Sequence, residues 1–306
     1  MHNCASVIVT YFPDTDSIHN IGRMAELCEK VIIIDNTPGN KPISFSFKNN
    51  ITVVKSGSNR GLAFALNQGM ASAKKEGWED VFLFDQDSRP TDHFFSQMLA
   101  FKSDVDRFFD DTAFYVPNFY DRNCHTFAKF PLLTPFTVTH VTCENIRSIK
   151  ESQALISITS GMLITCSRYR QIGPFRDDYF IDFIDNEYCL RASAKSLKVA
   201  VNCNALIDHA IGKRSAHRFC GVAVKPNWHP PVRRYYIARN GVRTAIDFSG
   251  RFPSYIPLIT ARMIHEVLSI LLYETQKTKK IKALFWGFCH GFIGKMGECN
   301  IGSILS

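Results

Sequence analysis

The sequence predicts an α/β fold: a mostly parallel sheet with helices on both faces, followed by a helical, basic C-terminal region. Three observations carry that expectation. Short apolar runs alternate with helical periodicity through the first hundred residues, polar groups follow the runs immediately, and beyond residue 208 the pattern turns helical and cationic. Strands buried on both faces read as continuous apolar runs, and their alternation with helices is the mark of parallel crossovers.

Residues 5–11 (ASVIVTY) form a β-branched run, and Ile18, Ile21, Met24, Ala25 and Cys28 then follow helical spacing. Residues 31–34 (VIII) are a second strand, ending in Asp35-Asn36 ahead of a Pro/Gly/Asn loop. Residues 51–54 read as a third strand, 61–75 as a helix and 81–84 (VFLF) as a fourth strand ending in Asp85-Gln86-Asp87. From 113 to 165 the cues are mixed, with 153–165 read as two apolar segments around a small-residue turn. A helix is expected over 185–196. Further on, Ile256, Ile259, Met263, Val267 and Ile270 share a helical face, as do Ile281, Leu284, Phe285, Phe288 and Phe292 behind the basic cluster at 277–282. The charge changes sign near 210–230, among Pro226, Pro230 and Pro231. The expected division is therefore an α/β unit over 1–225 and a helical region over 226–306.

With 45% hydrophobic, 12% aromatic and 21% charged residues among 306, the composition excludes a disordered tail, a collagen and a coiled coil. No run approaches the roughly 18 uninterrupted apolar residues of a membrane span. The first residues offer no basic stretch ahead of the first strand, so no secretion signal is expected, and the ten scattered cysteines without a CxxC pair read as reduced core thiols in the cytoplasm. Residues 1–208 carry 21 Lys and Arg against 24 Asp and Glu, whereas 209–306 carry 15 against 4. The last third is thus expected to meet something anionic: nucleic acid, a bilayer face or a phosphate-bearing substrate. Against nucleic acid, the positive charge follows no recognisable binding motif and no zinc-finger spacing exists.

In parallel sheets ligands bind beyond the carboxyl ends of the strands. Asp85-Gln86-Asp87 sits at such an end, and two carboxylates so close call for a compensating cation. A divalent ion bridging a diphosphate would serve; a turn with Asp87 or Ser88 capping the next helix is the plainer alternative. Asp35-Asn36 could be a turn or a base-binding carboxylate. The loop from Ser58 through Asn59 and Gly61 leads into a helix whose N-terminal amides favour phosphate, or simply turns tightly. Asp182, Asp185 and Glu187 lie around a helix start, where negative charge is stabilised in any case. A lone His209 and the segment Tyr235-Tyr236-Ile237-Ala238-Arg239-Asn240 are equally open to structural roles.

Taken in order, TYFP, IIIDN, SNRGLAFALNQG, FLFDQDS, SGMLI, IGPFRDDYFIDFIDNEYCLR, HAIG and YYIARN resemble the inverting, Rossmann-like GT-A glycosyltransferases of family 2. Within them the chain looks most like the bacterial rhamnosyltransferases that build O-antigens, the polysaccharide of lipopolysaccharide, and other surface polysaccharides. The resemblance covers roughly residues 5–245. It implies that Thr10, Tyr11 and Asp35 contact the nucleoside, that Asn59, Gly61 and Asn67 shape the nucleotide pocket, and that Asp85, with Gln86 beside it, faces ribose and metal. Asp87 and His209 would ligate Mg or Mn, and Asp185 would be the catalytic base with Asp182 and Glu187 as acidic neighbours. Arg239 and Tyr236 would help hold the diphosphate or acceptor. The implied donor is dTDP-L-rhamnose and the implied acceptor a polyprenyl-diphosphate-linked saccharide, which would put the cytoplasmic protein at the inner membrane face. The amphipathic stretches at 256–272 and 281–293 then have three openings: a peripheral membrane contact, packing on the rest of the chain, or a contact with a second copy.

One other enzyme class and two binding classes remain to weigh. A nucleotidyltransferase normally wants a Gly-rich basic loop near its N-terminus, which residues 10–24 lack. A catalytically silent member of the same fold is disfavoured by the intact Asp85, Asp87, Asp185 and His209, and a nucleic-acid-binding protein rests on the pI of about 9.0 and scattered aromatics.

Overall fold

The computed structural model describes residues 2–39, 49–121, 126–146, 150, 152–209, 217–219, 222–224, 226–300 and 302. In chain order the first half holds β1 (His2–Thr10), α1 (Thr15–Leu27), β2 (Cys28–Asp35), β3 (Ile51–Lys55), α2 (Leu62–Lys75), β4 (Asp80–Asp85), β5 (Arg89–Pro90), α3 (Phe94–Asp106) and β6 (Thr112–Asp121). Next come β7 (Thr126–Phe127), β8 (Phe130–Leu133), β9 (Val138–Val141), β10 (Ala154–Leu155), β11 (Met162–Thr165), α4 (Cys166–Ile172), a 3-10 turn (Asp177–Tyr179), α5 (Ile184–Ala194) and β12 (Lys198–His209). The chain closes with β13 (His217–Phe219), β14 (Val222–Val224), α6 (Pro231–Asp247), α7 (Tyr255–Tyr273) and α8 (Lys277–Ile293).

The main sheet runs β3-β2-β1-β4-β11-β6-β12-β5, with β7 on β6. The β1–β2, β1–β4, β2–β3 and β6–β12 pairs are parallel, whereas β11 lies antiparallel between β4 and β6. Side chains on a strand alternate between faces, so the run Val31-Ile32-Ile33-Ile34 feeds two cores. Val31 and Ile33 pack with α1 and α3 through Ile21, Met24, Phe94 and Phe95. Ile32 and Ile34 pack with α2 and α5 through Ala65, Leu66, Met70 and Leu190. That is why these strands lack polar alternation.

A three-stranded sheet, β10-β8-β9, stands beside the main one. The expected helix start just after Asp87 is absent: the short β5 pairs there with β12, and α3 begins only at Phe94. The C-terminal helices pack onto the α/β unit, with Ile237, Tyr255 and Ile259 in the same core as α2 and α5. α8 lies hard against α6, because a Cβ on Gly287 or Gly291 would meet the carbonyl oxygens of Tyr235 and Arg239 at 2.3 Å.

The reading of every cysteine as a reduced thiol needs correction. Cys143, after β9, is bonded to Cys203 in β12, with Cα atoms 5.4 Å apart. Sixty residues separate them in the chain, and only the approach of the two sheets brings them together. Cys4, Cys28, Cys166, Cys189, Cys289 and Cys299 are free thiols.

Candidate active site

The carboxyl ends of three neighbouring parallel strands define the site. In register, Thr10 at the end of β1 pairs with Asp35 at the end of β2, and Asp85 at the end of β4 pairs with Val9. A cleft of about 750 Å³ opens above them. Its walls include Thr10, Tyr11, Asn36, Asn59, Gly61, Asp85, Gln86 and Asp87 from the strand ends, Phe130 and Pro131 from β8, and residues 180–186 ahead of and within α5. Arg233 of α6 and Arg262 of α7 complete it. The Tyr11 amide donates to Gln86 Oε1 at 2.7 Å, which ties the β1 loop to the acidic turn.

The backbone leading into α5 is unusual. Phe180 (φ 65, ψ −62) lies at the centre of a turn closed by the Ile181 amide donating to the Tyr179 carbonyl at 2.8 Å, the geometry of a γ-turn that is rare and strained. Asp182 (φ 65) and Phe183 (φ 63) are also left-handed. Such residues cost of order 1–3 kcal/mol each and persist only where surroundings over-determine them. Here α6 supplies the surroundings. The buried Asn240 amide donates to the carbonyls of Tyr179 (2.9 Å), Ile181 (2.8 Å) and Asp182 (3.0 Å). Arg239 donates to the carbonyls of Asp178 and Tyr179, and the Arg233 guanidinium grips the Asp182 carboxylate at 3.1 Å. From the other side, the Leu62 amide at the start of α2 donates to the Phe180 carbonyl at 2.6 Å. Gly61 (φ +88) is needed there, since a Cβ would fall 2.5 Å from that same carbonyl oxygen.

This strained turn delivers Asp185 into the cleft from the first turn of α5. Burial pushes its carboxyl up to about 6. The Asn186 amide, donating at 2.9 Å, and Arg262 oppose that rise, and the Asp182 and Asp85 carboxylates reinforce it. A carboxylate ionised at neutral pH yet basic enough to take a proton suits general-base work. Arg262 itself stacks over the Phe183 ring at 4.7 Å. His229, also on the wall, has its imidazole held down to about 4 by burial and by Arg233.

The chain matches no family model. Among curated proteins, the dTDP-rhamnosyl transferase RfbF of Shigella flexneri is 26% identical over 289 residues, covering 89% of this chain and 87% of that protein. The chain is similar to this rhamnosyl transferase along most of its length. Solved structures of S. aureus TarS are also similar: the longer one at 12% identity over 95% of this chain and 43% of that one (TM-score 0.47), and TarS 1-349 in complex with UDP at 12% identity over 95% and 72% (TM-score 0.47). The present chain thus spans less than half of the longer TarS chain.

The expected site residues divide into two groups. Thr10, Tyr11, Asn59, Gly61, Asp85, Gln86, Asp87, Asp182 and Asp185 meet in the one cleft although 175 positions separate the first from the last. The others do not line it. Asp35 is buried one layer below, accepting from the Thr10 hydroxyl at 3.4 Å and the Thr37 amide at 3.0 Å, and its neighbour Asn36 takes the place on the wall. Asn67 is occupied by Phe175 and the Tyr169 hydroxyl, joining α2 to the segment after α4. Glu187 turns away from Asp185 into an ion pair with Arg191 at 2.7 Å. Tyr236 stacks on Phe180 at 5.0 Å and accepts from the Cys299 amide. Arg239, only 1% exposed, holds backbone carbonyls and is closed to a diphosphate. The backbone of His209 pairs with Asp121, and its side chain lies outside the described residues. Among the described residues no group of three His, Cys, Asp or Glu side chains converges as a metal site.

Sequence reasoning missed Arg233, Arg262 and His229, and noticed Asn240 only as part of the YYIARN segment. Each lies far along the chain from the acidic motifs, and a single Arg or Asn on a helix carries no local signature. The YYIARN segment did draw notice, but as a ligand-binding face; its work is to hold the turn.

Proposed function

We propose that the protein is an inverting, metal-assisted glycosyltransferase that moves a sugar from a nucleoside diphosphate, with dTDP-L-rhamnose as the donor favoured by the RfbF relationship. What supports this most is the meeting of Asp85, Asp87 and Asp185 in one cleft, with the Asp185 carboxyl pushed up to about 6. The nucleotide lies across the ends of β1 and β2, against Thr10, Tyr11, Asn36 and Asn59. The Asp185 carboxylate accepts the proton of the acceptor hydroxyl as that oxygen attacks the sugar carbon from the face opposite the diphosphate, so one in-line displacement inverts the anomeric centre. Asp182 is held by Arg233 and keeps the turn that aims Asp185.

Asp85 and Asp87 are hard oxygen donors at a strand end, and a magnesium-type ion takes one or two carboxylates plus phosphate oxygens, so this pair fits such an ion. When bound, it would neutralise the departing diphosphate. The acceptor reading, a saccharide on a polyprenyl diphosphate made for surface polysaccharide, belongs to the same proposal.

The deciding experiment is nucleotide release from a panel of nucleotide sugars, with and without Mg²⁺ or Mn²⁺. Turnover of dTDP-L-rhamnose above the others is the expected result. Release from none of them, with acceptor saccharide present, would overturn the reading.

A further inference from the structure

Both acidic residues between positions 255 and 296 are buried. Glu266 of α7 and Glu274 at the α7–α8 junction form a closed set with Arg234 of α6 and Lys280 of α8, all at or below 4% exposure. Arg262 belongs to the cleft wall, and the other exposed charges of that stretch are consequently all lysines: Lys277, Lys279, Lys282 and Lys295. Between the cations lies apolar surface. α6, α7 and α8 enclose an apolar groove of about 560 Å³ whose rim includes Ile264 and Leu268 of α7 and Phe288 and Phe292 of α8, each between 38% and 66% exposed. On α8, Lys282, Phe285 and Phe292 follow one helical stripe, so an ammonium stands at the end of an aromatic row.

We propose that this α7–α8 face docks the protein on an anionic lipid bilayer, with both helices lying in the interfacial plane. A basic amphipathic surface with exposed aromatics and apolar groups matches headgroup charge and acyl boundary together. α7, at 19 residues, is long and apolar enough to cross a membrane, but it is pinned along one side. Glu266 is paired with Arg234, and Tyr255, Ile259 and Ile270 are buried against the rest of the chain. The helix can therefore offer a bilayer only its outer side. A second copy of the chain is the poorer occupant, because a two-fold contact would set one all-cationic surface against its twin. The surface would bind lipid whether or not the cleft transfers sugar.

The test is co-sedimentation of the whole protein with vesicles of phosphatidylcholine alone and of phosphatidylcholine with phosphatidylglycerol, at low and high salt, with Trp286 emission as a second readout. Binding is expected on the anionic vesicles only, lost in high salt, and weakened roughly fivefold for each lysine neutralised. The double variant Lys279→Glu/Lys282→Glu should lose vesicle binding, as should Phe288→Ser/Phe292→Ser, with thermal stability and nucleotide release unchanged. Three results would overturn the proposal: equal binding to neutral vesicles, no binding at any salt, or a dimer in solution that Phe288→Ser/Phe292→Ser dissociates. If the phenylalanine pair fails to fold, the lysine pair alone still decides.

Discussion

Replacing Asn240 by alanine tests how the active-site turn is held. The amide is fully buried and serves three carbonyls, those of Tyr179, Ile181 and Asp182, while its oxygen accepts from Arg239 Nε at 2.9 Å. Two amide hydrogens removed are worth about 1 kcal/mol each net, and carbonyls left buried without a donor cost about as much again, so the loss is roughly 4 kcal/mol. In a chain of this size that lowers Tm by roughly 6 °C. The larger effect falls on catalysis. Without Asn240 the left-handed backbone at Phe180, Asp182 and Phe183 relaxes to ordinary conformations, and Asp185 leaves its productive position. Misplacement by about 1 Å costs of order 100-fold in rate, so kcat should fall by about that factor while the KM for the donor, bound at the strand ends, changes little. Calorimetry and a steady-state nucleotide-release assay read both quantities. A variant with wild-type Tm and kcat would refute the idea that α6 restrains the turn, and a rise in KM alone would move Asn240's role to binding.

Asp185→Asn should reduce kcat by 10²–10⁴, the range for a lost general base, with donor affinity retained; the kcat/KM profile of the native enzyme should fall below an apparent pKa near 6, and Arg262→Gln should move that limb to higher pH because Arg262 favours the ionised form. The folded protein binds the Asp185 proton more tightly than the unfolded chain, so ionisation costs stability above about pH 6 and nothing below about pH 4. Asp185→Asn should accordingly raise Tm at pH 8 and lose that advantage at pH 4; a pH-independent Tm difference would contradict the burial. Asp87→Ala should abolish the difference between nucleotide titrations made with Mn²⁺ and with EDTA. Gly61→Ala should destabilise the protein, since a left-handed backbone and the Phe180 carbonyl both oppose a Cβ. Arg234→Met, which takes the ion-pair partner from buried Glu266 and leaves Glu274 on Lys280, should cost about 3–5 kcal/mol in a denaturant melt.

Local chemistry made much of this protein legible from its residues alone. Apolar runs such as VIII and VFLF can be stable only as strands covered on both faces, so the parallel sheet and the acidic groups at the strand ends followed from composition and order. Asp85, Asp87 and Asp185 each had a plain structural alternative, a turn or a helix start, and stood out because their motifs, taken in order, resemble those of the family 2 glycosyltransferases. Glu187 pairs with Arg191 one turn on in α5, whereas Arg239, Tyr236 and Asn67 were misassigned because a polar side chain has the same local sequence whether it faces a ligand or the rest of the protein. Which it meets depends on how helices some sixty residues apart in the chain cross in space. Tertiary packing alone decided that α6 would brace the turn before α5, that Glu266 and Glu274 would be hidden with Arg234 and Lys280, and that the outer face of α7 and α8 would be left cationic and apolar. Those outcomes are long-range, because each depends on partners that no window of neighbouring residues contains.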